Sequence, residues 1–181
     1  MTARLITPPA ALAVSLDAAR TAARQDGAAA DAELTLAIKT YTDEAEFETQ
    51  RALVEQTWRV TLDRFPQAIQ LPRPPLLAVQ HVKFYDVDGQ LQTLDPQDYM
   101  TDDESEPSYI VPAPGAAWPA TMARINAVQV QYTVGYGPDH TTVPAAIQGY
   151  ILGKIAMQFG QTGNMKMEYL PRLLDGCRVY A

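Results

Sequence analysis

The side chains best suited to chemistry are few: two histidines, His81 and His140, and one cysteine, Cys177. A structural zinc site takes four Cys or His ligands, and neither HExxH nor CxxC spacing occurs. His140 follows Asp139, which invites a Ser-His-Asp triad. Adjacent residues usually point apart, however, and no GxSxG elbow is present, so a solvent-facing loop histidine is the plainer reading. His81 lies in a strand-like run beside Lys83 on the same side, as a partly exposed sheet residue. Asp86-Val87-Asp88-Gly89 lacks the third ligand and the terminal glutamate of a calcium loop and reads as a hairpin turn. Gly135 and Gly137 are not followed by the rest of a dinucleotide fingerprint or a P-loop. Trp58 and Trp118 suit a core or an interface, and Cys177 a small core hydrophobe. No catalytic, cofactor-binding or metal-binding residue is assigned.

Residues 133–137 read TVGYG, the sequence of a potassium-channel selectivity filter. A filter needs flanking helices of about 20 largely apolar residues. INAVQVQY before it alternates apolar and polar, and the segment after it carries Lys154 and Gln158, so neither flank spans a bilayer. The pentapeptide instead ends a strand, with glycines that let the backbone leave the sheet.

The elements around it divide into helical ends and a β middle. Ser15 is a candidate N-cap for SLDAARTAAR. A second helix starts near Asp31, with Leu34, Ala37, Ile38, Tyr41 and Ala45 on one face. Its other face, with Asp43, Glu44, Glu46 and Glu48, reads as solvated. After Gln50 the period changes to two: Val54, Gln56, Trp58, Val60 and Leu62 share one side of a strand. Prolines 72, 74 and 75 end it, because proline cannot donate to a ladder. LLAVQHVKFY, the turn DVDG and QLQTL form a hairpin, and DPQDY is another turn. The run Asp102, Asp103, Glu104 and Glu106 is an exposed loop. SYIVPAP is an edge-like strand. INAVQVQYTV is the last strand, with Val128, Val130, Tyr132 and Val134 on one face. Thr142 can cap the final long helix, with Pro144 in its first turn and Ile147, Tyr150, Ile151, Ile155, Gln158 and Phe159 on one stripe. Gly160 and Gly163 end it. A short helix near YLPRLLDGCRVY places Leu170, Leu173, Leu174 and Cys177 together. The loosest segments are expected at 1–12, 101–107 and 160–168.

The fold class is therefore α+β: a small helical bundle from residues 1–50 and 141–181, with an antiparallel β region inserted at 51–140. A chain of 181 residues suits one compact unit or a core with an insertion. A single cysteine allows no intrachain disulfide, and the N-terminal segment, broken by Pro8, Pro9 and Asp17, reads as an ordered arm rather than a signal peptide. Fourteen basic and 21 acidic residues give a net charge of −7. Phosphate binding needs clustered positive charge, and here the basic residues are scattered singly along the sequence.

Taken in order, RALVEQTWRVTLDRFP, IQLPRPPLLAVQHVKFYDVDGQLQTLDPQDY, YIVPAPGAAWP, VQVQYTVGYGPDHTTVPAAIQGYIL and LPRLLDGCRVY, behind the acidic helix from Asp31, resemble the head–tail connector proteins of tailed double-stranded DNA phages, also called adaptor or head-completion proteins. The similarity runs from about residue 5 to 181. Thr49-Gln50 replaces the family's usual helix-ending glycine, and GQTGNMKMEY matches nothing in it. The resemblance implies a structural virion protein with no cofactor and no catalytic residue, made in the host bacterial cytoplasm and located in the neck at the portal vertex. It implies a homo-oligomeric ring, typically a dodecamer, below the portal protein. Such a ring extends the DNA channel, lets double-stranded DNA pass without specific binding, and presents a platform to a stopper or tail-completion protein, with no membrane involved. On that pattern Tyr169, Leu170, Arg172, Leu173, Arg178 and Tyr180 are the portal-contact candidates. Asp102, Asp103, Glu104 and Glu106 are the channel-facing candidates. A head-to-tail ring needs two complementary patches, for which helix 31–49 and the opposite flank of helix 143–159 are candidates. A stopper or tail terminator is the alternative, disfavoured by the helical ends because those families are mostly β. A small cytoplasmic enzyme is a further alternative, which would need a pocket converging on His140 and an acid.

Overall fold

The hydroxyl of Ser15 accepts the amide of Ala18 at 3.1 Å and starts α1 (Leu16–Ala23). In the computed structural model, which describes residues 1–161 and 169–179, the chain forms two compact units. One comprises residues 1–9 and 55–135, the other residues 10–54 and 136–181. The chain thus passes from one to the other three times.

The second unit is helical. α1 ends at Arg24 in the left-handed conformation, and α2 (Asp31–Thr49) follows. The fork of Arg20 joins the two helices, with Nε and Nη2 donating to the two Asp31 carboxylate oxygens at 2.8 and 2.6 Å. The apolar spacing of α2 does what its period predicts: Leu34, Ala37, Ile38 and Ala45 are buried. The opposite face is not uniformly solvated. Glu46 is buried and its Oε1 accepts the amide of Leu53, while Glu44 is half-buried against the third helix.

α3 (Ala145–Gln158) sends Ile147, Tyr150, Ile151 and Ile155 into the same core. Its N-cap is Pro144 rather than Thr142, whose hydroxyl donates back to the carbonyl of Asp139. Gln158 is exposed and leaves the inward stripe, whereas Phe159, just past the helix, is partly buried against the core. A 3₁₀ helix, Pro171–Cys177, closes the unit, with Leu170 and Leu174 buried and Leu173 exposed. Val179 N–H donates to Thr49 O and Arg51 Nε to Cys177 O, so this segment lies on the C-terminal end of α2. Gly163, expected to end the preceding helix, lies outside the described residues.

The first unit holds two antiparallel sheets. Five strands run in the order β1 (Thr2–Thr7), β2 (Gln56–Leu62), β8 (Val128–Val134), β4 (Leu76–Tyr85) and β5 (Leu91–Thr93). Three more run β3 (Ile69–Leu71), β7 (Ser108–Pro112) and β6 (Tyr99–Asp102). Alternation sets the faces: Val128, Val130, Tyr132 and Val134 are buried on one side of β8, opposite Val60 and Val82.

Three expectations change. Residues 2–7 are not a loose arm but an edge strand paired with β2. SYIVPAP is the central strand of the smaller sheet, because the strand at 69–71, ahead of the prolines, takes its other edge. The start of the 101–107 segment is paired too: Thr101 and Asp102 sit in β6, leaving a short loop to β7.

Candidate functional site

The acidic side chains singled out for chemistry are engaged in building turns, and the loop at His140 is held through its backbone. The Asp139 carboxylate accepts both the amide (2.8 Å) and the hydroxyl (2.6 Å) of Thr141, and these bonds hold it below the usual carboxylate range. The His140 carbonyl accepts Gln148 Nε2, locking the loop onto α3. Asp86 Oδ1 accepts the amides of Asp88 and Gln90, and its Oδ2 accepts Gln92 Nε2, so the carboxylate is used in building the hairpin turn. Trp118 stacks on Phe65 at 4.7 Å, and Phe65 meets Phe84 edge-on. Arg73 stands over the Trp58 ring at 4.9 Å. Cys177 is half-buried beside the helical core. An open depression of about 500 Å³ lies over α1, lined by Asp17, Arg20, Thr21, Arg24, Gln25 and Asp26, and includes neither histidine. Among the described residues, no group of three or more His, Cys, Asp or Glu side chains could hold a metal ion, and no helix is long and apolar enough to cross a membrane.

TVGYG marks the passage from the sheet unit to the helical one. Gly135 has φ +126°, and its N–H donates to Pro75 O. Tyr136 N–H donates to Leu53 O in the other unit's own framework. A Cβ on Gly137 would stand 2.7 Å from Thr142 Oγ1. The two glycines therefore serve a backbone exit, as their position predicts.

The assembly candidates differ in availability. Tyr169, Arg172 and Leu173 are exposed, with the Arg172 guanidinium 5.5 Å from the centre of the Tyr169 ring. Leu170 is buried in this chain's own core against Gly153, and Arg178 is paired with Glu48 at 3.1 Å. Tyr180 lies outside the described residues. The flank of α3 has little free surface: Leu170 faces Gly153 and Leu173 faces Gly149. On α2, by contrast, Leu36 and Phe47 are 66% and 68% exposed on the side away from the core. Glu44 accepts Tyr150 OH and Lys154 Nζ, both at 2.8 Å. Burial alone would raise its carboxyl; those bonds and the Lys154 charge bring it below its ordinary value.

The acidic run sits on the β6–β7 connection. Asp102 builds the turn, accepting the amides of Ser105 and Glu104, and the bonds from Ser105 lead in holding its carboxyl low. Asp103, Glu104 and Glu106 are exposed.

The sheet also assembles something that the linear sequence hides. Cross-strand register puts Arg4, Arg59, Gln131 and His81 in one row across β1, β2, β8 and β4. The neighbouring row on the same face has Gln129 beside Lys83. Arg59 Nη2 donates to Gln131 Oε1 at 2.7 Å, and Gln131 Nε2 to Gln80 Oε1 at 2.7 Å. Burial, then the charges of Lys83 and Arg59, push His81 below its ordinary value. Basic residues that are dispersed in sequence thus share one face. Only the hydrophobic alternation, which marks 57, 59 and 61 as outward, hinted at it.

Comparison with known proteins adds the fold's relatives. No protein-family model and no curated protein sequence matches the chain. Solved structures do. A chain of the neck of an empty gene transfer agent (GTA) particle, computed with C6 symmetry, is 18% identical. It superposes with TM-score 0.82 over 100% of this chain and 97% of its own. A chain of the native GTA virion has 19% identity, TM-score 0.77 and the same coverages. One from the neck of the native particle, computed with C12 symmetry, has 18% identity and TM-score 0.66. The protein shares the fold of these neck and virion chains.

Proposed function

We propose that the protein is a structural component of the neck of a tailed-phage-like particle, and within it the head–tail connector. The observation that carries this reading is the full-length fold match, at TM-score 0.82, to a neck chain. The C6 and C12 symmetries of those necks support a ring of identical copies. The helical unit favours an adaptor over a stopper or tail terminator. The ring sits below a portal, with Tyr169, Arg172 and Leu173 as the portal-facing surface, since Leu170 and Arg178 are engaged within the chain. A net charge of −7 per copy suits a tube through which DNA slides, because like charge repels phosphate.

The test is the mass of the purified protein by light scattering over a concentration series, with negative-stain images of the same fractions. A closed ring, formed alone or on addition of the cognate portal, is the expected result. A chain that stays monomeric in both conditions refutes the reading.

A further inference from the structure

The outer face of the five-stranded sheet is positively charged in a protein of net charge −7. Its central row reads Arg4, Arg59, Gln131, His81, and Lys83 stands in the next row. Neither row contains an aspartate or a glutamate. With strands ~4.8 Å apart, the row spans about 14 Å. Arg4 and Arg59 are direct cross-strand partners, an arrangement of like charges that disfavours the isolated sheet. Gln131 supplies Arg59 with a neutral acceptor only. Arg4 is exposed, whereas Arg59 and Lys83 are half-exposed. Within these two rows the cations have no carboxylate partner, the nearest acids in the alternation of β2, Glu55 and Asp63, lying just beyond its two ends, and an anionic partner would relieve the repulsion.

The same unit carries a fitting partner. The β6–β7 loop presents the exposed carboxylates Asp103, Glu104 and Glu106 within four residues, on a turn fixed by Asp102. We propose that the cationic sheet face of one copy receives the acidic β6–β7 loop of the neighbouring copy. Face and loop are different surfaces of one chain, so the contact is head-to-tail and closes into a ring when its rotation closes. This rests on the ring reading above and deepens it, giving the β unit a share in the subunit contact. It assigns the acidic loop to that contact rather than to the channel wall. Duplex DNA is the other anion such a face could meet. The loop is favoured because its adjacent exposed carboxylates Asp103 and Glu104 offer paired negative charge to Arg4 and Lys83, whereas the chain as a whole repels phosphate.

The experiment uses two charge-reversed full-length variants. One carries Arg4→Glu with Lys83→Glu, the other Asp103→Lys with Glu104→Lys. Circular dichroism confirms that each folds. Assembly is followed by light scattering under the conditions in which the wild type forms rings. Each variant alone brings like charges together and assembles at least about tenfold more weakly than wild type. An equimolar mixture restores rings, because each variant's loop then meets the opposite charge on the other's face. Wild-type assembly also weakens as salt rises. Unimpaired rings from either variant alone, or failure of the mixture, overturn the contact and leave the ring reading intact. Loss of duplex-DNA retention by the face variant, with its rings preserved, overturns it in favour of a DNA surface. A wild type that never forms rings removes the ring reading and this contact together.

Discussion

Two glycines four residues apart on α3 predict opposite effects of the same substitution. Gly149 and Gly153 both face the C-terminal 3₁₀ segment. A Cβ on Gly149 would lie 3.8 Å from Leu173 Cδ1, an ordinary contact, whereas one on Gly153 would lie 2.5 Å from Leu170 Cδ2. Alanine at either interior helix position gains about 0.8–1 kcal/mol from propensity alone. At Gly149 nothing opposes that gain, so Gly149→Ala stabilises by about 1 kcal/mol. At Gly153 the new methyl must displace Leu170, which is 3% exposed. Unseating a buried leucine forfeits about 1.5–3 kcal/mol, so Gly153→Ala destabilises by about 1–2 kcal/mol net. For a chain of this size each kcal/mol moves the melting temperature by about 2–4 °C. The assay is urea and thermal unfolding followed by far-UV circular dichroism, which reports the helical unit. Fluorescence of Trp58 and Trp118 follows the sheet unit as an internal control. Shifts of the same sign for both variants, or no loss in Gly153→Ala, would show that Leu170 is not seated as described.

Other expectations follow from single contacts. Ser15→Ala removes the α1 cap and costs about 1 kcal/mol, read by chemical denaturation. Gly137→Ala drives a methyl into Thr142 and destabilises by about 1–3 kcal/mol, with partial recovery in combination with Thr142→Ala; equal stability of the single variant would refute the close approach. His81 has a lowered folded-state pKa, so below its ordinary value of 6.5 the unfolded chain binds a proton that the fold resists. Stability is therefore lost as pH falls through that value. His81→Gln should flatten this part of the profile, measured as urea midpoints between about pH 7.5 and 5.5.

What was legible in the sequence was whatever depends on near neighbours. The spacing of Leu34, Ala37, Ile38 and Ala45 marks the buried face of α2, and the alternation of Val128 to Val134 marks β8. The turn built by Asp86 and the cap at Ser15 are chemistry within four residues. What was not legible depends on distant partners. TARLIT is a strand only because β2 offers it an edge more than fifty residues later. Glu44 and Glu46 look like members of a solvated face until Tyr150, Lys154 and the Leu53 amide are brought to them. SYIVPAP reads as an edge because of its proline, but Pro112 lies at the strand's end, where it interrupts little of the ladder. The cationic row draws on four strands from three widely separated parts of the chain, so no local window contains it.

The three passages between the units have a bearing on how such proteins exchange parts. A recombination event that swapped residues 55–135 alone would carry over strands β2 to β8 and leave strand β1 behind without its native partner. The replacement would then expose the outer edge of β2, or force a foreign β2 onto an old β1 whose Arg4 faces Arg59. A workable graft must include residues 1–9 as a second, separate fragment. The sheet unit is thus heritable only as a discontinuous cassette, and chimaeras of proteins with this fold are best cut at both places or not at all.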